Sequence, residues 1–126
     1  MSDDHLAIRP RLYEFLTLQL GWLNGEGVAF TQTSLDWLAD GFATYYPGDM
    51  PTPYLYPLPT EGVSAEWHTP VFMLVVEVDL GSQQADASVL WRSNRSCYAD
   101  GWQFDLSTAT GWGELVKQLR GLMEAA

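Results

Sequence analysis

Two stretches near the start of the chain carry apolar side chains at the three- and four-residue spacing of amphipathic helices. The first predicts a helix from about Arg9 to Leu23, with Pro10 in its first turn and a left-handed cap at Asn24-Gly25. The second predicts a helix that begins near Thr33 as its N-cap and ends at Pro47-Gly48. The apolar faces predicted for the two helices are Leu12, Phe15, Leu16, Leu20 and Leu23, and Leu35, Leu38, Phe42 and Tyr45.

A proline-rich segment and a series of strands come next. Five prolines between Pro47 and Pro59 exclude a helix and favour extended backbone, in which Tyr54-Leu55-Tyr56 fits a short edge strand. From Glu61 onward apolar and polar residues alternate, as in half-buried strands. We predict strands at 63–68, 71–80, 86–92 and 101–106, with a hairpin turn at Thr69-Pro70, and a last amphipathic helix from about Gly111.

The order of these elements predicts an α+β domain that spans residues 1–126. It has two N-terminal helices, a proline-rich crossover, an antiparallel sheet of about four strands and a C-terminal helix. The clustered strands and short turns predict a meander with helices on one face, because a doubly wound fold needs strands and helices that alternate. A chain of 126 residues is long enough to bury a core without a disulfide or a metal.

Charge narrows the range of partners. Sixteen acids face six bases, and no Lys or Arg lies between Arg11 and Arg92, a segment with ten acids. This potential should repel nucleic-acid phosphates and anionic membranes, so we expect neither as a direct partner. It favours a basic protein partner. The alternative interpretation is that the acidic surface serves solubility alone.

Cysteine use and the chain start predict a cytoplasmic location. Cys97 is the only cysteine, so no intrachain disulfide and no CxxC motif can form. No apolar leader follows Met1, and the longest apolar run, 71–76, is too short to span a bilayer.

Candidate chemistry is sparse, and we expect no catalytic residue, metal or cofactor. If Thr69-Pro70 is a hairpin turn, Glu66, Glu77 and Asp79 share one face of the sheet, where they could hold a divalent ion or a basic side chain. The alternative is an ordinary solvated face. His68 beside Glu66 resembles a general base and its carboxylate, but no nucleophile or second ligand accompanies the pair.

Two segments resemble motifs of a widespread, poorly characterised group of small bacterial proteins. Residues 21–28, GWLNGEGV, are similar to its N-W-D-G-x-G-A motif, and residues 53–67, PYLYPLPTEGVSAEW, are similar to its P-T-P-D-G-G-V-x-x-E-W segment. Here Leu58 replaces a common Thr, and one glycine before Val63 is missing. The resemblance covers residues 12 to 80 and implies helix, loop, helix, proline-rich crossover and hairpin. It carries no established activity, although members resemble accessory proteins, some from toxin–antitoxin-like cassettes.

Together these features predict a non-enzymatic protein-binding module, of antitoxin, immunity or inhibitor type, for a basic partner. The predicted contact residues are Tyr54, Tyr56, Glu61, Glu66, Glu77 and Asp79. One alternative is a small metal-binding or hydrolytic enzyme that uses Glu66, Glu77 and His68. Another is a structural subunit that forms a homodimer through the rigid, aromatic Tyr54/Tyr56 segment.

Overall fold

The structure, a computed structural model, describes residues 4–92 and 101–125. Cys97 lies outside this part of the chain. The elements in chain order are helix α1 (Asp4–Glu14), a 3-10 turn (Phe15–Thr17), helix α2 (Gln32–Tyr45), strands β1 (Tyr54–Leu58), β2 (Gly62–His68), β3 (Phe72–Asp79), β4 (Gln84–Trp91) and β5 (Trp102–Asp105), and helix α3 (Ala109–Ala125).

The strands form one antiparallel sheet in the order β1-β2-β3-β4-β5. A hairpin turn joins β2 to β3, and the Thr69 N–H donates to the Phe72 carbonyl at 2.9 Å. The α+β class, the antiparallel pairing and the two helices ahead of the sheet are confirmed. The described strands number five, instead of the predicted four or so, because the proline-rich segment contributes a complete edge strand.

The outer edge of β1 has few free backbone groups, because prolines remove N–H donors and one side chain occupies a carbonyl. The Arg11 Nε donates to the Leu55 carbonyl at 2.9 Å, so the Leu55 backbone faces away from β2. Pro53 and Pro57 have the same parity as Leu55 and carry no N–H. The Leu55 N–H is therefore the one backbone donor on the outer edge of β1. An edge with so few donors disfavours the addition of another strand.

The helices lie against one face of the sheet and bury it. Phe72, Leu74, Val76 and Val78 alternate along β3 as buried residues, and Ala85, Ala87 and Val89 do so along β4. On β2 the helix-facing Val63, Ala65 and Trp67 are buried, and Ser64 on the other face is buried as well. An aromatic contact joins two of these helices: Phe42 of α2 packs edge-on against Trp112 of α3 at 5.2 Å between ring centroids. No helix in the described part of the chain has the length and apolar character needed to cross a membrane.

The first helix differs from its prediction. It ends at Glu14 instead of Leu23, and Leu16, Leu20 and Leu23 are exposed. The reason lies at Asn24-Gly25, where φ is 51° and 93°, as in the type I′ turn of a hairpin. Leu23 and Glu26 pair across this turn, which requires extended backbone where the helix was expected.

The other two helices follow their predictions closely. The N-cap of α2 is Thr31 instead of Thr33: its Oγ1 accepts from the Ser34 N–H at 3.2 Å. Tyr46 is buried and Tyr45 is exposed, because the chain leaves the helix at Tyr46 and turns this ring toward the core. The Thr108 Oγ1 accepts from the Gly111 N–H at 3.0 Å and caps α3, which begins at Ala109, close to the predicted start.

Candidate protein-binding face

The face of the sheet opposite the helices is open over the described residues. Along β3 the buried positions alternate with Met73, Val75, Glu77 and Asp79, which point the other way. We call this side the outer face. Its residues are Tyr54, Tyr56, Leu58, Ser64, Glu66, His68, Met73, Val75, Glu77, Asp79, Gln84, Asp86, Ser88, Leu90, Gln103 and Asp105.

Strand register arranges these side chains in rows that cross the sheet. One row runs from Tyr56 through Ser64 and Glu77 to Asp86, and the adjacent row begins with Tyr54 and Glu66. Tyr54 and Tyr56 are 62% and 41% exposed. The structure thus brings five of the six predicted contact residues onto one open surface.

The sixth predicted residue, Glu61, borders this surface. It occupies the turn between β1 and β2 with a positive φ of 63°, and its carbonyl accepts from the Leu80 N–H at 3.2 Å. Its carboxylate lies toward Asp79: a Cβ added to Gly81 would stand 3.9 Å from the Glu61 Oε1 and 3.4 Å from the Asp79 Oδ1. Glu61 therefore adds a charge to the end of the outer face where Asp79 lies.

That end of the face is acidic and forms a shallow groove of about 290 Å³. Glu77, Asp79 and Asp86 line it, and none of the three forms an ion pair with a described Lys, Arg or His side chain. The nearby Asp105 carboxylate accepts from the Ser107 hydroxyl and N–H and from the Gln84 amide, and these bonds, those of Ser107 first, lower its pKa. The groove therefore concentrates negative charge without a cation from the described part of the chain.

The opposite end of the face is closer to neutral. The Glu66 Oε1 lies 2.9 Å from the His68 Nε2, and the Arg92 Nη2 lies 3.4 Å from the His68 Nδ1. Because a guanidinium only donates, this arrangement suits a neutral imidazole whose Nδ1 accepts and whose Nε2–H donates to Glu66. Tyr54 packs edge-on against His68 at 5.7 Å between ring centroids. Half-buried apolar side chains adjoin this group: Met73, Val75 and Leu90.

The residues of the enzyme alternative are only partly brought together. Glu66 and His68 are in contact, but His68 is in register with Met73, and Glu77 is in register with Ser64. Met73 and Glu77 are four residues apart on β3, about 13 Å at the usual rise of a strand. Among the described residues no three His, Cys, Asp or Glu side chains are placed to hold a metal ion.

Asp86 is a member of the groove that the sequence-based choice of contact residues omitted. It alternates with the buried Ala85 and Ala87, so its outward direction was readable from the pattern. The missing information was the pairing of β3 with β4, which places Asp86 directly opposite Glu77.

Fold and site together define an α+β domain with helices on one face of an antiparallel meander and an open, acidic opposite face. The chain matches no protein-family model, no curated protein and no solved structure. The resemblance of residues 12 to 80 to the small bacterial group stays a prediction.

Proposed function

We propose that this protein is a non-catalytic binding module, of antitoxin, immunity or inhibitor type, that docks its outer face on a basic partner protein. The observation that carries the proposal is the acidic groove. Glu77, Asp79 and Asp86 share it without a cationic partner from the described chain, and the exposed Tyr54 and Tyr56 lie on the same face.

The charge distribution supports a basic partner. Like charges that share one sheet face repel one another, and cross-strand neighbours such as Glu77 and Asp86 destabilise the sheet they belong to. A Lys or Arg of a partner that enters the groove would relieve this repulsion and would be steered there by the net charge of −10. If the partner is a nucleic-acid enzyme, the carboxylates would take the place of phosphates.

The neutral end of the face favours a docking surface over the alternative, an acidic surface that serves solubility alone. Glu66 is already paired with His68, and the ring of Tyr54 packs on His68. The half-buried apolar side chains of Val75 and Leu90 lie on the same face, on β3 and β4. Tyrosine beside apolar surface is typical of interface centres, where charged residues are depleted. The outer face thus combines an apolar, aromatic part that excludes water with an acidic part that selects the partner's charge.

A salt-dependent capture experiment with matched variants tests the proposal. The tagged protein would be incubated at low salt with extract of its source cells, beside a Glu77→Gln/Asp86→Asn variant and a Glu114→Gln/Glu124→Gln variant. The control changes the net charge equally, on the exposed surface of α3. We expect wild type and control to retain one dominant basic protein that salt releases, and the groove variant to lose most of it. Equal capture by all three proteins, or capture that is indifferent to salt, would contradict the proposal.

The Glu66–His68 contact keeps the small-enzyme alternative as a second candidate. A hydrogen-bonded His–carboxylate pair can act as a general base. In that case a divalent ion such as Zn²⁺ should bind in a calorimetric titration, and Glu66→Gln should abolish the heat without unfolding the protein. Absence of any binding heat for the wild type would remove the metal version of this candidate.

A further inference from the structure

The segment after α1 exposes an unusual amount of apolar surface. Leu16, Leu20, Leu23 and Val28 are 38%, 81%, 44% and 38% exposed. Isolated exposed leucines are common in proteins, but four large aliphatic side chains on one short segment indicate a contact surface. We call residues 16–28 the leucine hairpin.

The leucine hairpin is held in a defined conformation. The Gly21 N–H donates to the Gly27 carbonyl at 2.8 Å, and the Leu23 N–H donates to the Glu26 carbonyl at 2.7 Å. The Trp22 Nε1 donates to the Val28 carbonyl at 2.9 Å. A Cβ on Gly27 would stand 2.6 Å from the same Trp22 nitrogen, so the indole packs directly on the backbone. A surface that is already ordered loses little conformational entropy when a partner covers it.

The distribution of charge bears on which partner can cover the leucine hairpin. Between Glu14 and Asp36 the chain has one charged residue, Glu26, whereas the whole chain carries a net charge of −10. A basic partner gains nothing from this uncharged surface. A second copy of the same acidic chain, by contrast, can approach closely only where its charges are sparse.

We propose that the leucine hairpin is a self-association surface that joins two copies of this chain. The contact is isologous, so the leucines of one copy cover those of the other. The hairpin contains no residue of the outer face, and dimerisation does not rest on the proposed function. The two contacts also respond to salt in opposite directions. Salt screens the repulsion between two acidic chains and strengthens the dimer, whereas it weakens the attraction between the acidic groove and a basic partner.

Sedimentation velocity over a concentration series tests this proposal. Wild type, a Leu20→Ser/Leu23→Ser variant and a Tyr54→Ser/Tyr56→Ser variant would be measured at low and at high salt. The two variants keep the net charge and replace exposed side chains, and circular dichroism would confirm that each one folds. We expect wild type and the tyrosine variant to reach the mass of two chains with increasing concentration. The leucine variant should need at least about tenfold higher concentration, which corresponds to about 1.4 kcal/mol of association free energy.

The opposing results are equally specific. A wild-type protein that stays at the mass of one chain over the whole series would overturn the proposal. So would a dimer that only the tyrosine variant loses, because that result places the contact at Tyr54/Tyr56. If the leucine variant fails to fold, the salt dependence of the wild-type dimer still tests the proposal. A wild-type dimer that dissociates when salt is added would exclude this contact.

Discussion

Gly41 of α2 lies directly against the indole of Trp112 on α3, so closely that a Cβ at position 41 would stand 2.3 Å from the Trp112 Cζ2. The indole has little room to move. Its Nε1 donates to the Leu106 carbonyl at 2.9 Å, and the rings of Phe42 and Tyr45 pack on it at 5.2 and 5.8 Å between centroids. The absence of a side chain at Gly41 therefore sets how closely the two helices approach.

We expect Gly41→Ala to destabilise the protein. Alanine improves helix propensity by about 1 kcal/mol over glycine, but overpacking against a fixed ring costs about 1–3 kcal/mol. The net change should be a loss of up to about 2 kcal/mol of unfolding free energy, measured from the urea midpoint. Gly113→Ala on α3 is the matched control, because nothing lies within 4 Å of its Cβ position, and it should stabilise by up to about 1 kcal/mol. Stabilisation by both substitutions would show that the Trp112 indole moves to make room for the added methyl group, and would contradict this prediction.

The N-cap of α2 gives a second test with a control two residues away. Thr31 accepts the Ser34 N–H, whereas Thr33 is exposed inside the first turn. Thr31→Ala should lower the unfolding free energy by about 1 kcal/mol, and Thr33→Ala should leave it nearly unchanged. Chemical denaturation of the two variants checks this expectation. A larger loss for Thr33→Ala would place the cap where the sequence alone had put it.

The contrast between the strands and the first helix shows what the sequence could determine. Alternation along 63–68 and 71–80 identified the buried side of each strand, because the period of two has no competing interpretation in a short hairpin. The helix was overextended, because Leu16, Leu20 and Leu23 continue a helical spacing although they do not face the core. Asn24-Gly25 fits either a helix end or a type I′ turn, and only the pairing of Leu23 with Glu26 decides between them.

The candidate site was predictable to a similar extent. Parity along β2 and β3 placed Glu66, Glu77 and Asp79 on one side. It could not reveal that Glu66 is paired through His68 while Glu77 lies opposite Asp86, because these relationships depend on side-chain conformation and on the next strand. The sequence therefore located the acidic face but not its division into a neutral end and a charged groove.

Tyr46 joins three parts of the fold through its buried hydroxyl. The hydroxyl donates to the Pro51 carbonyl of the proline-rich segment and accepts from the Trp67 Nε1 of β2 at 3.0 Å. Burial raises the pKa of Tyr46 from its usual 10.0 to about 12, although the Trp67 N–H, which stabilises the phenolate, acts in the opposite direction. The folded state thus favours the protonated phenol more than the unfolded chain does.

This shift predicts a loss of stability in alkali with a defined window. Below pH 10 the Tyr46 phenol is protonated in both states, and the full stabilisation is present. This stabilisation is lost as the pH rises toward the folded-state pKa of about 12, because the unfolded chain releases its proton first. Tyr46→Phe should lower the unfolding free energy by about 1 kcal/mol at neutral pH, through loss of the hydroxyl's hydrogen bonds, and should make the decline between pH 10 and 12 shallower. Urea unfolding of wild type, Tyr46→Phe and the exposed-site control Tyr54→Phe at several pH values would measure both effects. The control should follow the wild type throughout, and a Tyr46→Phe curve parallel to both would show that other groups cause the alkaline loss.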